Sequence, residues 1–166
     1  MSNTLQDLER FINEPQVEMD PIVRAALVHY QFETAHPFLD GNGRLGRLLI
    51  TLMLINDGVL HSCLFYPSFQ FKKNRSEYYR QLTSVRERGT YEEWIEFFCN
   101  SLLESAKDSV GSLKNLVDLH NRSTATITEN LGRTAANGQR LLGILEEHPI
   151  VDTAFIAAQL DIGRST

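Results

Sequence analysis

Apolar residues recur three and four positions apart through almost every segment of this 166-residue chain, and that period commits it to helices. Leu5, Leu8, Phe11 and Ile12 share one face of a helix predicted from Thr4 to Asn13. Asp20-Pro21 reads as an N-cap followed by proline at the first helical position, opening a helix from Ile22 to Ala35. The next helix is expected to start at Asn42 or Gly43 and to run to about Asp57, with Gly58 as its stop. Beyond Arg47 it is apolar on almost every side, so it is expected to form the buried centre of the domain. Ser68 to Arg88 reads as one helix ending at Gly89. Thr90-Tyr91-Glu92-Glu93 reads as a capping box opening another, and a more polar helical stretch follows from Val110 to Leu131. The fold class is all-α.

The pattern changes after residue 131. Gly132 to Gly138 has the small, polar composition of a linker. Leu141, Leu142, Ile144 and Leu145 predict a helix closed by His148-Pro149, and Thr153 to Leu160 predicts a second one. Asp161-Ile162-Gly163 reads as a tight turn, and Arg164-Ser165-Thr166 as the start of a third helix. Helix, glycine turn and helix at this spacing suggest a partial helix-turn-helix or winged-helix module over residues 132–166, appended to a helical core over residues 1–131. The module carries little positive charge and the chain as a whole has a net charge of −5, which speaks against broad nucleic-acid affinity. DNA contact, protein contact and self-association as a homodimer stay open for it.

Two cysteines, Cys63 and Cys99, form neither a disulfide framework nor a zinc spacing, and their apolar neighbours suggest buried thiols in a reducing compartment. The longest apolar stretch, Leu48 to Ile55, is far shorter than a membrane span, and the first residues lack a signal-peptide pattern. A cytoplasmic protein with no membrane contact is expected. His29, His61, His120 and His148 have no clustered sequence partners and read as surface or satisfied histidines.

Chemistry concentrates between His36 and Arg47. Gly41 and Gly43 tolerate backbone conformations that other residues resist, and they stand where a helix begins, so unpaired amides and the positive dipole end face the loop. Arg44 and Arg47 lie three apart beside that anion hole. Asp40 is a hard oxygen ligand suited to Mg²⁺ shared with phosphates, and His36 can accept a proton from an attacking hydroxyl. A base, a metal ligand, an anion cradle and two cations within twelve residues point to phosphoryl or nucleotidyl transfer. The loop is no P-loop, because it lacks the lysine and hydroxyl residue of that motif.

The string His36-Pro37-Phe38-Leu39-Asp40-Gly41-Asn42-Gly43-Arg44-Leu45-Gly46-Arg47 resembles the signature of the Fic (filamentation induced by cAMP) family, H-x-F-x-[D/E]-G-N-G-R-x-x-R, at every defined position. The resemblance extends from about Thr4 to Asn121. It implies a Fic-type helical core and a protein adenylyltransferase that moves AMP from ATP to a Ser, Thr or Tyr hydroxyl of a target protein. By the same resemblance His36 is the general base, Phe38 anchors the loop in the core, and Asp40 binds Mg²⁺. Gly41, Asn42 and Gly43 form the anion hole, Arg44 and Arg47 hold the ATP phosphates, and Asn74, Tyr78 and Tyr79 border the nucleotide pocket. Removal of AMP, transfer of another phosphate-containing group, and a nucleotide-sensing regulator that binds DNA or protein are the alternatives. Neither the β-hairpin flap nor the inhibitory helix [S/T]-x-x-x-E-[G/N] of many family members is visible; Glu129-Asn130 is the nearest match, with Ala125 in place of the hydroxyl residue. The chain is therefore expected to be part of a longer protein.

Overall fold

The computed structural model describes residues 2–14 and 19–161, and among these the secondary structure is helical, with no strand. The first helices are α1 (Ser2–Asn13), α2 (Pro21–Ala35), α3 (Asn42–Asn56) and α4 (Pro67–Lys73). They are followed by α5 (Arg75–Arg88), α6 (Tyr91–Asn130), a 3₁₀ turn at Gly132–Thr134, α7 (Ala135–Glu147) and α8 (Thr153–Leu160). The chain divides into two compact units, Met1–Val110 and Gly111–Thr166, with the boundary inside α6.

In the first unit the local signals act as the chain pattern dictates. Asp20 Oδ1 accepts from the amides of Ile22 and Val23 at 2.8 and 3.3 Å, so α2 starts on a genuine cap with Pro21 behind it. α3 stops at Asp57, and Gly58 turns the chain at φ 72°. Buried rings and aliphatics from α2 to α6 form the core: Tyr30, Ile50, Leu54, Phe71, Tyr78, Leu82, Trp94 and Phe98 among them. Trp94 is fully enclosed and satisfies its indole N–H on the carbonyl of Ala26, at 3.0 Å. A smaller cluster of Leu8, Val28, Phe32 and Met53 seats α1. Arg24 donates from Nη2 to both carboxylate oxygens of Asp57, at 2.5 and 2.7 Å, tying α2 to the end of α3.

Four expectations are corrected. α3 is not enclosed on every side: Leu45, Leu48 and Leu52 stand about half exposed along one face, because only its other faces have neighbours among the described residues. Ser68 to Arg88 is two helices, broken at Asn74 (φ −104°, ψ 36°), a residue type that leaves helical geometry readily. The capping box at Thr90 is replaced by a tertiary link, the Thr90 hydroxyl meeting Ser84 Oγ at 2.6 Å, and the polar stretch after Val110 continues α6 unbroken. Cys63 is exposed, since it lies in the connection between α3 and α4 rather than against the core; Cys99 is partly buried, and that burial raises its thiol.

In the second unit the expected linker is helical, a 3₁₀ turn leading directly into α7. Gly138 explains how: a Cβ there would fall 2.7 Å from Leu131 Cδ1 and 2.8 Å from Ile127 Cγ2, so glycine lets α7 pack against the end of α6. His120 is a satisfied surface histidine as expected, its Nδ1 lying 2.6 Å from Glu146 Oε1. Asp152 caps α8 through the Phe155 amide at 2.7 Å. The third helix expected from Arg164 lies outside the described residues.

Candidate active site

Two left-handed backbone positions shape the loop between α2 and α3. α2 ends on His36 at φ 44°, ψ 57°, with its amide still bonded to the Phe32 carbonyl at 3.0 Å. A non-glycine residue in that conformation is strained by roughly 1–2 kcal/mol, and such strain is characteristic of functional positions. Gly41, at φ 84°, turns the chain into α3, and no side chain caps that helix. The first amides of α3 are thereby left for an anion.

Asn42 closes the loop from beneath. It is buried, its Nδ2 donates to the Phe38 carbonyl at 2.5 Å, and its Oδ1 accepts from the Phe38 amide at 2.9 Å. What it offers a ligand is therefore its backbone, not its amide side chain. Phe38, expected to anchor the loop in the core, is instead half exposed, with its ring 6.4 Å from that of Phe32. The anchor is Asn42, which satisfies both backbone groups of Phe38 and makes deep ring insertion unnecessary.

Asp40 and Arg44 stand in solvent. Asp40 Oδ1 accepts from the Gly41 amide at 2.6 Å, and its Oδ2 lies 3.2 Å from Arg44 Nη2. Arg47 bends back over the first turn, its Nη1 reaching 3.0 Å from where a Cβ on Gly43 would sit, and it makes no ion pair among the described residues. An incoming phosphate would thus meet open amides and an uncommitted guanidinium together. Among the described residues no three His, Cys, Asp or Glu side chains cluster as metal ligands. Asp40 nevertheless fits Mg²⁺ of the kind that takes one carboxylate, phosphate oxygens and waters.

Behind Arg47 lies a cavity of about 350 Å³ bordered by Ser68, Phe71, Lys72 and Arg75 together with Tyr78 and Tyr79. Tyr79 is half exposed there and carries the Arg75 guanidinium 5.6 Å above its ring. Tyr78 is buried, with its hydroxyl 3.0 Å from His29 Nε2. Asn74, expected beside the nucleotide, sits exposed at the break between α4 and α5. Asp40, Gly41, Gly43 and Arg44 thus stand at the start of α3, Arg47 joins them to the cavity that Tyr78 and Tyr79 border, and Asn74 is not among the residues bordering that cavity.

Two further residues belong to this region: His29, satisfied as expected but inside the core, and Glu33, which the sequence did not single out. His29 is enclosed among Phe71, Trp94 and Phe98, with Nδ1 3.0 Å from the Gly46 carbonyl, and burial depresses it to about 4. Glu33 lies beside Arg47, His36 and Tyr78, and burial pushes its carboxyl up against the opposing pull of the Arg47 charge. Their spacing of four from each other on α2 was the available signal, but periodicity alone assigns such residues to a surface stripe.

Residues 1–54, which include the whole loop, match the Fic/DOC family. The chain is 34% identical over 111 residues to protein adenylyltransferase fic-1 of Caenorhabditis briggsae, covering 66% of this chain and 20% of that protein. It is 36% identical over 97 residues to protein adenylyltransferase Fic of Drosophila ananassae, covering 58% of this chain and 18% of that protein. The chain spans about a fifth of the length of these curated relatives.

Proposed function

Because this chain belongs to the Fic/DOC family, we propose that it is a protein adenylyltransferase, moving AMP from ATP to a side-chain hydroxyl of a target protein. The observation that carries the reading is the uncapped N-terminus of α3, over which the unpaired Arg47 guanidinium is folded. Amides and guanidinium at that place favour a polyphosphate. His36, strained into position at the end of α2 and exposed, takes the proton of the attacking hydroxyl. The hydroxyl oxygen forms a bond to the α-phosphorus, the bond from that phosphorus to the bridging oxygen breaks, and pyrophosphate leaves. Arg44, Arg47 and the amides of Asn42 and Gly43 hold the phosphates, with the Gly41 amide tied to Asp40, while the cavity bordered by Tyr78 and Tyr79 receives the nucleoside end. Asp40 is the residue that would hold Mg²⁺, which supplies charge neutralisation on the phosphate oxygens.

The second unit, with α7 and the Asp152-capped helix α8, is read as the beginning of a helix-turn-helix that contacts a partner, DNA or protein. Among the described residues no helix is long and apolar enough to cross a membrane.

Mass spectrometry after incubation with ATP and Mg²⁺ tests the transfer, with AMP added to this chain or to a lysate protein as the expected result. α-Labelled and γ-labelled ATP separate AMP transfer from phosphate transfer. Substituting His36→Ala should abolish labelling and leave ATP binding largely in place; labelling that persists would remove His36 from the mechanism.

A further inference from the structure

α2 carries His29 and Glu33 four residues apart, facing Gly46 of α3 and Tyr78 of α5. The protons along this buried line can be assigned one by one. The Gly46 carbonyl only accepts, so His29 Nδ1 must carry its hydrogen. The ring is enclosed and neutral, so Nε2 must accept, and the donor 3.0 Å away is the Tyr78 hydroxyl. That hydroxyl has a single proton, now committed to His29. Nothing remains on Tyr78 to donate to its other neighbour, Glu33, whose Oε1 is shut away from solvent and has no hydrogen-bond partner. A buried carboxylate oxygen without a donor is costly. A carboxylic acid lowers the cost, since it leaves no charge on the buried oxygen.

We propose that Glu33 is a positioning residue of this site, held as a neutral acid at the end of the buried line Gly46–His29–Tyr78 and so leaving the Arg47 guanidinium free to take a phosphate group. The donors run in one direction, from Tyr78 to His29 to the Gly46 carbonyl, and Glu33 stands beside Tyr78 with no proton of that line to accept. Burial is the leading influence on the Glu33 carboxyl and acts in the same sense, opposed by the charges of Arg47 and His36 and by the Tyr78 hydroxyl, all of which face it. Gly46 provides the room: a Cβ there would fall 2.7 Å from Glu33 Oε1. Once ionised, Glu33 would set an anion beside Arg47 and compete with phosphate.

The inference rests on the reading of Arg47 as a phosphate ligand, and the test separates the two. Calorimetric titration of wild type, E33Q and E33D with ATP and Mg²⁺ is run from the acid side of the ordinary carboxylate value of 4.5 upward. The ratio of wild-type to E33Q affinity cancels the titration of the nucleotide and of His36. That ratio should fall by roughly threefold to tenfold as Glu33 ionises, with E33D falling in the same direction. Difference infrared spectra should show a protonated carboxyl band that disappears over the same pH range and is missing in E33Q. A flat ratio or a missing band, with ATP binding intact, overturns the inference and leaves the transferase reading standing. If wild type and E33Q both fail to bind ATP at every pH, the transferase reading falls and this inference with it.

Discussion

His36 occupies left-handed backbone at a helix end where glycine is the easiest resident, and this sets stability against chemistry at one residue. Replacing it with glycine should raise stability by about 1 kcal/mol while eliminating transfer, because the strain disappears along with the imidazole. Denaturant midpoints and AMP labelling of H36G check the two halves separately; a destabilised H36G would mean the backbone there is unstrained. Asn42 is the opposite case, a motif residue whose side chain is structural. N42A removes both bonds to the Phe38 backbone from a buried position, and should cost about 2 kcal/mol. Its ATP affinity should fall with the loop, which calorimetry on the folded fraction would read.

At the scale of elements, the crossing of α2 and α3 depends on Gly46. A methyl group there would fall 2.7 Å from Glu33 Oε1 and 3.2 Å from the His29 ring. The glutamate tip can swing aside, but the imidazole is fixed by two partners, so the helices have to separate slightly. G46A should therefore lose about 1–2 kcal/mol even though alanine favours the helix. The opposite face of α3, with Leu45, Leu48 and Leu52 half exposed, tolerates substitution; L48A should change stability by well under 1 kcal/mol. A large loss in L48A by thermal melting would show that this face is covered in solution.

For the molecule as a whole, a buried and a partly buried group give stability a pH dependence of opposite signs. His29 binds fewer protons folded than unfolded, its value falling from 6.5 to about 4, so its contribution is complete above 6.5 and is lost as the pH drops toward 4. That limb amounts to about 3 kcal/mol. Glu33 is raised, so what its proton contributes is present below 4.5 and fades as the pH climbs through its folded value. H29Q, whose amide can still donate to Gly46 and accept from Tyr78, should flatten the acid limb. Trp94 is the sole tryptophan and fully buried in the first unit, so its fluorescence during unfolding reports on that unit alone. An acid limb unchanged in H29Q would show that other groups govern it.

Helix periodicity, the Asp20 cap, the Gly58 stop and the twelve residues from His36 to Arg47 were all legible in the chain, because each depends on neighbours within a turn or two. Local order also fixed which residue types meet at the start of α3, where two glycines, a carboxylate and two arginines cannot be far apart. Long-range packing decided the rest. Only the approach of α5 to α2 makes Tyr78 the partner of His29, and only the crossing of α2 and α3 buries Glu33 next to Arg47. Proton affinities and solvent access are set by what surrounds a group in space, and surroundings 49 residues away along the chain leave no mark on its period.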